Sequence, residues 1–97
     1  MNAWTPALDA ALRSARTYLD TIGERDVVAR ATADELRGAL GGPLPAGPQE
    51  PAAIVDRLAS ASAKGTVATQ GPRYFGFVVG GSLPRALAAD WVVSTWD

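Results

Sequence analysis

Thr5-Pro6-Ala7-Leu8-Asp9-Ala10-Ala11-Leu12-Arg13-Ser14-Ala15-Arg16-Thr17-Tyr18-Leu19-Asp20-Thr21-Ile22-Gly23 is the stretch whose reading sets the class of fold. Thr5 is of a type that caps helices, and Pro6 suits a first helical position, where its missing N–H is no loss. Leu8, Leu12, Ala15, Leu19 and Ile22 recur at spacings of 4, 3, 4 and 3. That period places them on one face of an α-helix. Gly23 is a natural stop. A stripe of this kind faces a core within its own domain or docks on another chain or on a further domain.

Outward from this helix the same grammar repeats. Residues 24–31 carry no helical stripe and read as an extended connector. Thr32 and Glu35 stand at the spacing of a capping box, so a short helix is expected to about Leu40, ending at Gly41-Gly42. Residues 41–51 hold four prolines and three glycines, the composition of a turn-rich loop. Pro51 opens a third helix through Ala52, Ala53, Ile54, Val55 and Leu58 to the neighbourhood of Lys64-Gly65. A polar loop follows from Thr66 to Gly71. Tyr74-Phe75-Gly76-Phe77-Val78-Val79 is an uncharged, strand-like aromatic run, broken by Gly80-Gly81-Ser82. Ser82 is placed to cap a fourth helix with Pro84 in its first turn and Leu87, Ala88, Trp91, Val92 and Thr95 on one face. Trp96-Asp97 carries no helix stop, which suggests an element interrupted part-way. The expectation is a mostly α chain of about four helices joined by extended connectors.

Composition removes whole classes of chemistry. The chain has 97 residues, no cysteine and no histidine. Disulfides, thiolate sites and imidazole ligands are absent, and zinc or other transition-metal chemistry is not expected. Nine basic against ten acidic residues give a net charge of -1. No basic field for nucleic acid or an anionic membrane surface arises from that balance. No run approaches the ~20 apolar residues of a membrane span. Met1-Asn2-Ala3-Trp4 lacks the basic and apolar regions of a signal peptide, so a cytoplasmic location is the expectation. A domain this short is marginal without extra support.

The side chains left for chemistry are few. Ser-His-Asp and Cys-His arrangements are impossible here, and the one lysine, Lys64, follows no glycine-rich phosphate loop. The acids Asp9, Asp20, Glu24, Asp26, Asp34 and Glu35 lie among arginines in the manner of solvated helix faces. Arg73-Tyr74-Phe75-Gly76-Phe77-Val78 partly follows the RNP1 pattern of RNA-binding sheets. Tyr74 stands where that pattern has glycine and Gly80 where it ends in an aromatic. A single strand-like run among helices also lacks the four-stranded sheet that RNP1 requires.

The run from Gly71 to Trp91 carries a more specific likeness. Pro72, Arg73, Tyr74 and Phe75, then Gly80-Gly81-Ser82, then Ala88-Ala89-Asp90-Trp91, resemble the N-terminal motif of the group II pyridoxal-phosphate-dependent amino-acid decarboxylases. These include the aromatic-amino-acid, glutamate and histidine decarboxylases. The likeness is strong over residues 66–97 and weaker before them, where the family also begins with a long amphipathic helix and a short helix pair. Many members carry histidine where this chain has Gly71, so no role is transferred to that position.

The resemblance implies an N-terminal helical segment of a fold-type I pyridoxal-phosphate enzyme, spanning residues 1–97 and lacking the large α/β cofactor domain. In that setting the segment contributes contacts of a homodimer, and Phe77, Val78, Val79 and Gly80 line the pocket for an amino-acid substrate. None of the four is ionisable, so their part would be shape and dryness. No catalytic, cofactor-binding or metal-binding residue is assigned within the chain. The Schiff-base lysine, the acid at the pyridinium nitrogen and the ring-stacking histidine belong to the missing domain. The chain alone is then expected to be inactive. An apolar pocket points to an aromatic or other non-acidic substrate. The alternative is a stand-alone helical module that keeps the decarboxylase-like sequence but binds a partner protein.

Overall fold

Asn2, rather than Thr5, starts the first helix. Its side-chain oxygen accepts the amide N–H groups of Trp4 at 2.9 Å and Thr5 at 3.1 Å. Helix α1 therefore runs Trp4–Thr21, starting ahead of Pro6. Pro6 remains within the four initial positions whose N–H groups have no partner in the helix, so it costs no hydrogen bond. The computed structural model describes residues 2–96. Beyond α1 it contains α2 Ala33–Leu40, α3 Pro51–Ser62, a 3₁₀ turn Gly76–Val78 and α4 Pro84–Trp96. The mostly α architecture expected from the sequence is present. Asp97, invoked above for an interrupted last helix, lies outside the described residues.

Helix α2 begins as its spacing predicts. Thr32 Oγ1 accepts from the Glu35 amide at 3.1 Å, and the Glu35 carboxylate accepts from the Thr32 amide at 3.0 Å. These bonds hold the Glu35 carboxyl below its ordinary range, the backbone bond from Thr32 being the larger cause and its hydroxyl the next. At the other end the Gly41 amide returns to the Arg37 carbonyl at 2.8 Å. The proline-rich residues 41–51 are exposed throughout.

Helices α1 and α3 pack together, and α2 rests on α3. The residues of α1 most withdrawn from solvent are Ala7, Ala10, Ala11, Ser14, Ala15 and Tyr18. That face is mainly small, and Ala10 is the only fully covered residue of the helix. The leucines are on the open side, with Leu8, Leu12 and Leu19 exposed by 46%, 40% and 45%. Of the stripe, Ala15 and Ile22 are partly covered within the chain, whereas the three leucines are exposed. An exposed ion pair, Arg13 to Asp56 at 3.1 Å, spans α1 and α3. Pairs in solvent contribute little, so it serves register more than stability.

The connector after α1 is laced to the loop after α3. Arg30 and Ala31 amides both donate to the Lys64 carbonyl, at 2.8 and 2.9 Å, and the Ala68 amide donates to Val27 at 2.9 Å. The Leu36 side chain lies against Gly65 beside this seam, and Ala68 is the one buried residue described there. Helix α4 packs closely on no other helix among the described residues. It is apolar around most of its circumference, with Arg85 and Asp90 its only charges before Asp97.

The totals agree with this picture. The chain leaves 7740 Å² accessible, whereas a compact monomer of this mass would expose about 5,300 Å². Its radius of gyration is 15.3 Å, against about 12.5 Å for a compact domain of equal length. Ala10 and Ala68 are the only buried apolar residues described.

Candidate functional site: the Gly71–Ser82 loop

The run read from sequence as strand-like is a loop containing a 3₁₀ turn. A strand needs a partner for its backbone groups, and no strand exists among the described residues to provide one. The loop instead closes on itself. The Tyr74 amide donates to the Gly71 carbonyl at 3.4 Å, and the Val79 amide to Gly76 at 3.2 Å. Without a sheet, the RNP1 reading loses its structural setting as well as its match.

Small residues let the loop fold this tightly. A Cβ on Gly76 would lie 2.5 Å from the Tyr74 hydroxyl oxygen and 2.7 Å from the ring carbon that bears it. The Tyr74 ring thus lies against the backbone of the turn. Gly81 has φ +80° and serves the second bend, a conformation that favours glycine. Ser82, expected to cap α4, turns away from the helix. Its hydroxyl donates to the Gln70 side-chain oxygen at 3.2 Å and closes the neck of the loop. The start of α4 is served by the Leu83 carbonyl, which accepts from Ala86 at 3.0 Å and Leu87 at 3.1 Å.

At the tip the backbone is strained and the side chains are bare. Phe77 has φ 53° and ψ 22°, left-handed values that are unfavourable for a bulky residue. Its ring is 94% exposed and that of Phe75 89%. Val79 is 44% exposed, and a Cβ built on Gly80 meets nothing within 4 Å. Phe77, Val79 and Gly80 are therefore each open to solvent; the Val78 side chain lies outside the described residues. Strain and exposure are both costs, and they coincide at Phe77.

The loop is moored to the helices by polar bonds that sequence spacing could not reveal. Gly71 lies against Ile22, where a Cβ would come within 3.2 Å of the isoleucine side chain. The Arg73 guanidinium donates to the main-chain carbonyl of Arg25. Arg25 in turn lies over the Tyr18 ring at 4.6 Å and donates to the Ala63 carbonyl at 3.4 Å.

Clefts elsewhere are open and differ in character. One of about 680 Å³ between α1 and α4 is lined by Trp4, Leu8, Ala11, Asp90, Trp91, Ser94 and Thr95. A smaller one of about 120 Å³ holds Lys64 beside Arg25, Asp26, Arg30 and Thr66. Among the described residues no group of three or more acids is placed to hold a metal ion, and no helix is long and apolar enough to cross a membrane. Searches of protein-family models, curated proteins and solved structures return no match to this chain.

Proposed function

We propose that the chain is the N-terminal helical segment of a pyridoxal-phosphate-dependent amino-acid decarboxylase, supplying homodimer contacts and the apolar wall of a substrate pocket. The observation that carries this reading is the Gly71–Ser82 loop. It presents Phe77, Val79 and Gly80 openly on a closed scaffold, with no ionisable side chain from Phe75 to Pro84. The family resemblance of residues 66–97 supplies the identity of the reaction. The bare leucines of α1 and the apolar α4 supply surfaces for a partner subunit and a cofactor domain to cover.

Residues of this segment do not fit the cofactor itself. Lys64 is exposed just past the end of α3, in an open cleft shared with Arg25 and Arg30. Asp26, the acid in that cleft, is paired with Arg30 at 3.1 Å. No aromatic ring lines it. On this proposal pyridoxal phosphate would be held by residues outside this segment, and no step is routed through it here. The work of this segment is to shape the pocket and exclude water around the substrate side chain.

Reading the coding frame beyond Asp97 tests the proposal. It requires an in-frame continuation with a Ser-x-x-x-Asp-x-His-Lys type of cofactor segment. A stop codon directly after Asp97 overturns it and leaves the partner-binding helical module. A second check uses the isolated chain, which should form no stoichiometric aldimine with pyridoxal phosphate. Absorbance and borohydride trapping report on this, and a trapped adduct specific to Lys64 would contradict the assignment.

A further inference from the structure

We propose that Arg73 is a positioning residue that sets the aromatic loop in register on the α1–α3 pair through the main-chain carbonyl of Arg25. The functional weight of this inference rests on the reading of the loop as a substrate-pocket wall; the mooring itself does not.

The argument starts from what cannot hold the loop. Phe75 and Phe77 are 89% and 94% exposed, so the largest apolar side chains of the segment contribute almost no burial against the helices. Apolar packing is the usual anchor of a connecting segment, and here it points outward. The connections from the loop back to the rest of the chain are few. At the neck, Ser82 donates to Gln70 at 3.2 Å, but that bond joins the two ends of the loop to each other. The contact of Gly71 with Ile22 fixes where the loop leaves the helices but not its tilt. Arg73 alone among these reaches from inside the loop to the helical body, across 48 residues of sequence.

Its acceptor is a firm point. Arg25 follows the turn that closes α1, where the Glu24 amide donates to Thr21 at 3.0 Å. The Arg25 side chain stacks on Tyr18 of α1 and bonds to the carbonyl of Ala63, the residue that ends α3. A cation at a helix carboxyl end is favourable, so this placement secures Arg25 in its own right. The Arg25 side chain is thereby in contact with both helices. A charged donor on the Arg25 carbonyl makes a stronger bond than a neutral one. One residue after Arg73, Tyr74 supports the turn at Gly76, and one residue beyond that turn's start Phe77 takes its left-handed conformation. A shift at Arg73 is transmitted to Phe77 along four residues of chain, past the long bond of the Tyr74 amide to Gly71 at 3.4 Å.

Hydrogen exchange of the 97-residue chain in its self-associated form, followed amide by amide at matched concentration, tests this. Arg73→Met should speed exchange of the Tyr74 and Val79 amides by roughly tenfold, the equivalent of losing one charge-assisted hydrogen bond. The amides of α1 and α3 should be unchanged. Arg73→Lys keeps a cationic donor and should restore most of the protection. Unaltered exchange at Tyr74 and Val79 in Arg73→Met overturns the proposal. So does faster exchange spread evenly over α1 and α3, which would make Arg73 a general stabiliser. A stop codon after Asp97 would remove the decarboxylase reading and leave the exchange result intact, so the two can fail separately.

Discussion

Expressing the 97 residues alone is the perturbation with the clearest consequence. The accessible surface of 7740 Å² exceeds that of a compact monomer of the same mass by about 2,400 Å². Rather more than half of a protein surface is apolar. At about 25 cal/mol per Å², the excess corresponds to roughly 30–35 kcal/mol of burial not realised within the chain. The whole stability of a domain is about 5–15 kcal/mol. Conformational entropy is still lost in ordering the four helices, so the isolated chain has little to stabilise a unique monomer. It should self-associate, bind hydrophobic dye and melt without a sharp transition. Size-exclusion chromatography with light scattering across a dilution series, followed by thermal melting, measures all of this. Replacing Leu8, Leu12 and Leu19 together by Glu should shift the population toward monomer, because the three leucines are 46%, 40% and 45% exposed and lie outside the α1–α3 seam. A monodisperse monomer with one cooperative transition in the unmodified chain would refute the reasoning and favour an autonomous interaction module.

Three further outcomes follow from single side chains. In a longer protein with decarboxylase activity, Val79→Asp should lower turnover by roughly a hundredfold, from the cost of a carboxylate in a dry pocket and its repulsion of the substrate carboxylate; soluble yield should hold, since Val79 is 44% exposed in the segment itself, and unchanged kinetics would remove residues 77–80 from the site. Phe77→Asn should stabilise the loop by about 1 kcal/mol, since asparagine tolerates the left-handed backbone better, while weakening substrate binding in the longer protein; thermal melts and KM values read the two effects. The Glu35 carboxyl is held below its ordinary range by Thr32, so the capping box stabilises α2 above the unfolded glutamate pKa and loses that contribution as pH falls through the folded one. Glu35→Gln should abolish this acid-dependent component of helix content in a circular-dichroism titration, and an identical acid transition in both proteins would disprove it.

The Thr32–Glu35 box, the Pro51 start of α3 and the glycine stop after α2 were legible in the sequence because each is settled within four residues of chain. The apolar periodicity of α1 was legible too, and with it the mostly α class. The aromatic run was misread as strand-like because uncharged aromatic and β-branched residues favour extended backbone only where a neighbouring strand takes up their N–H and C=O groups. None is available, so Gly76 and Gly81 let the segment curl instead. Ser82 was read as a helix cap by its position before Pro84, yet its hydroxyl found Gln70, a partner that local spacing does not mark. The direction of the leucine stripe was beyond the sequence, since periodicity says that a face exists and not what covers it. Only the packed chain decides that α1 meets α3 through alanine and serine and turns its leucines outward. The sequence alone determined which residues coil and the absence of thiol and imidazole chemistry. The tertiary structure decided which faces remain bare, because burial depends on what else is near in space and not on the order of residues along the chain.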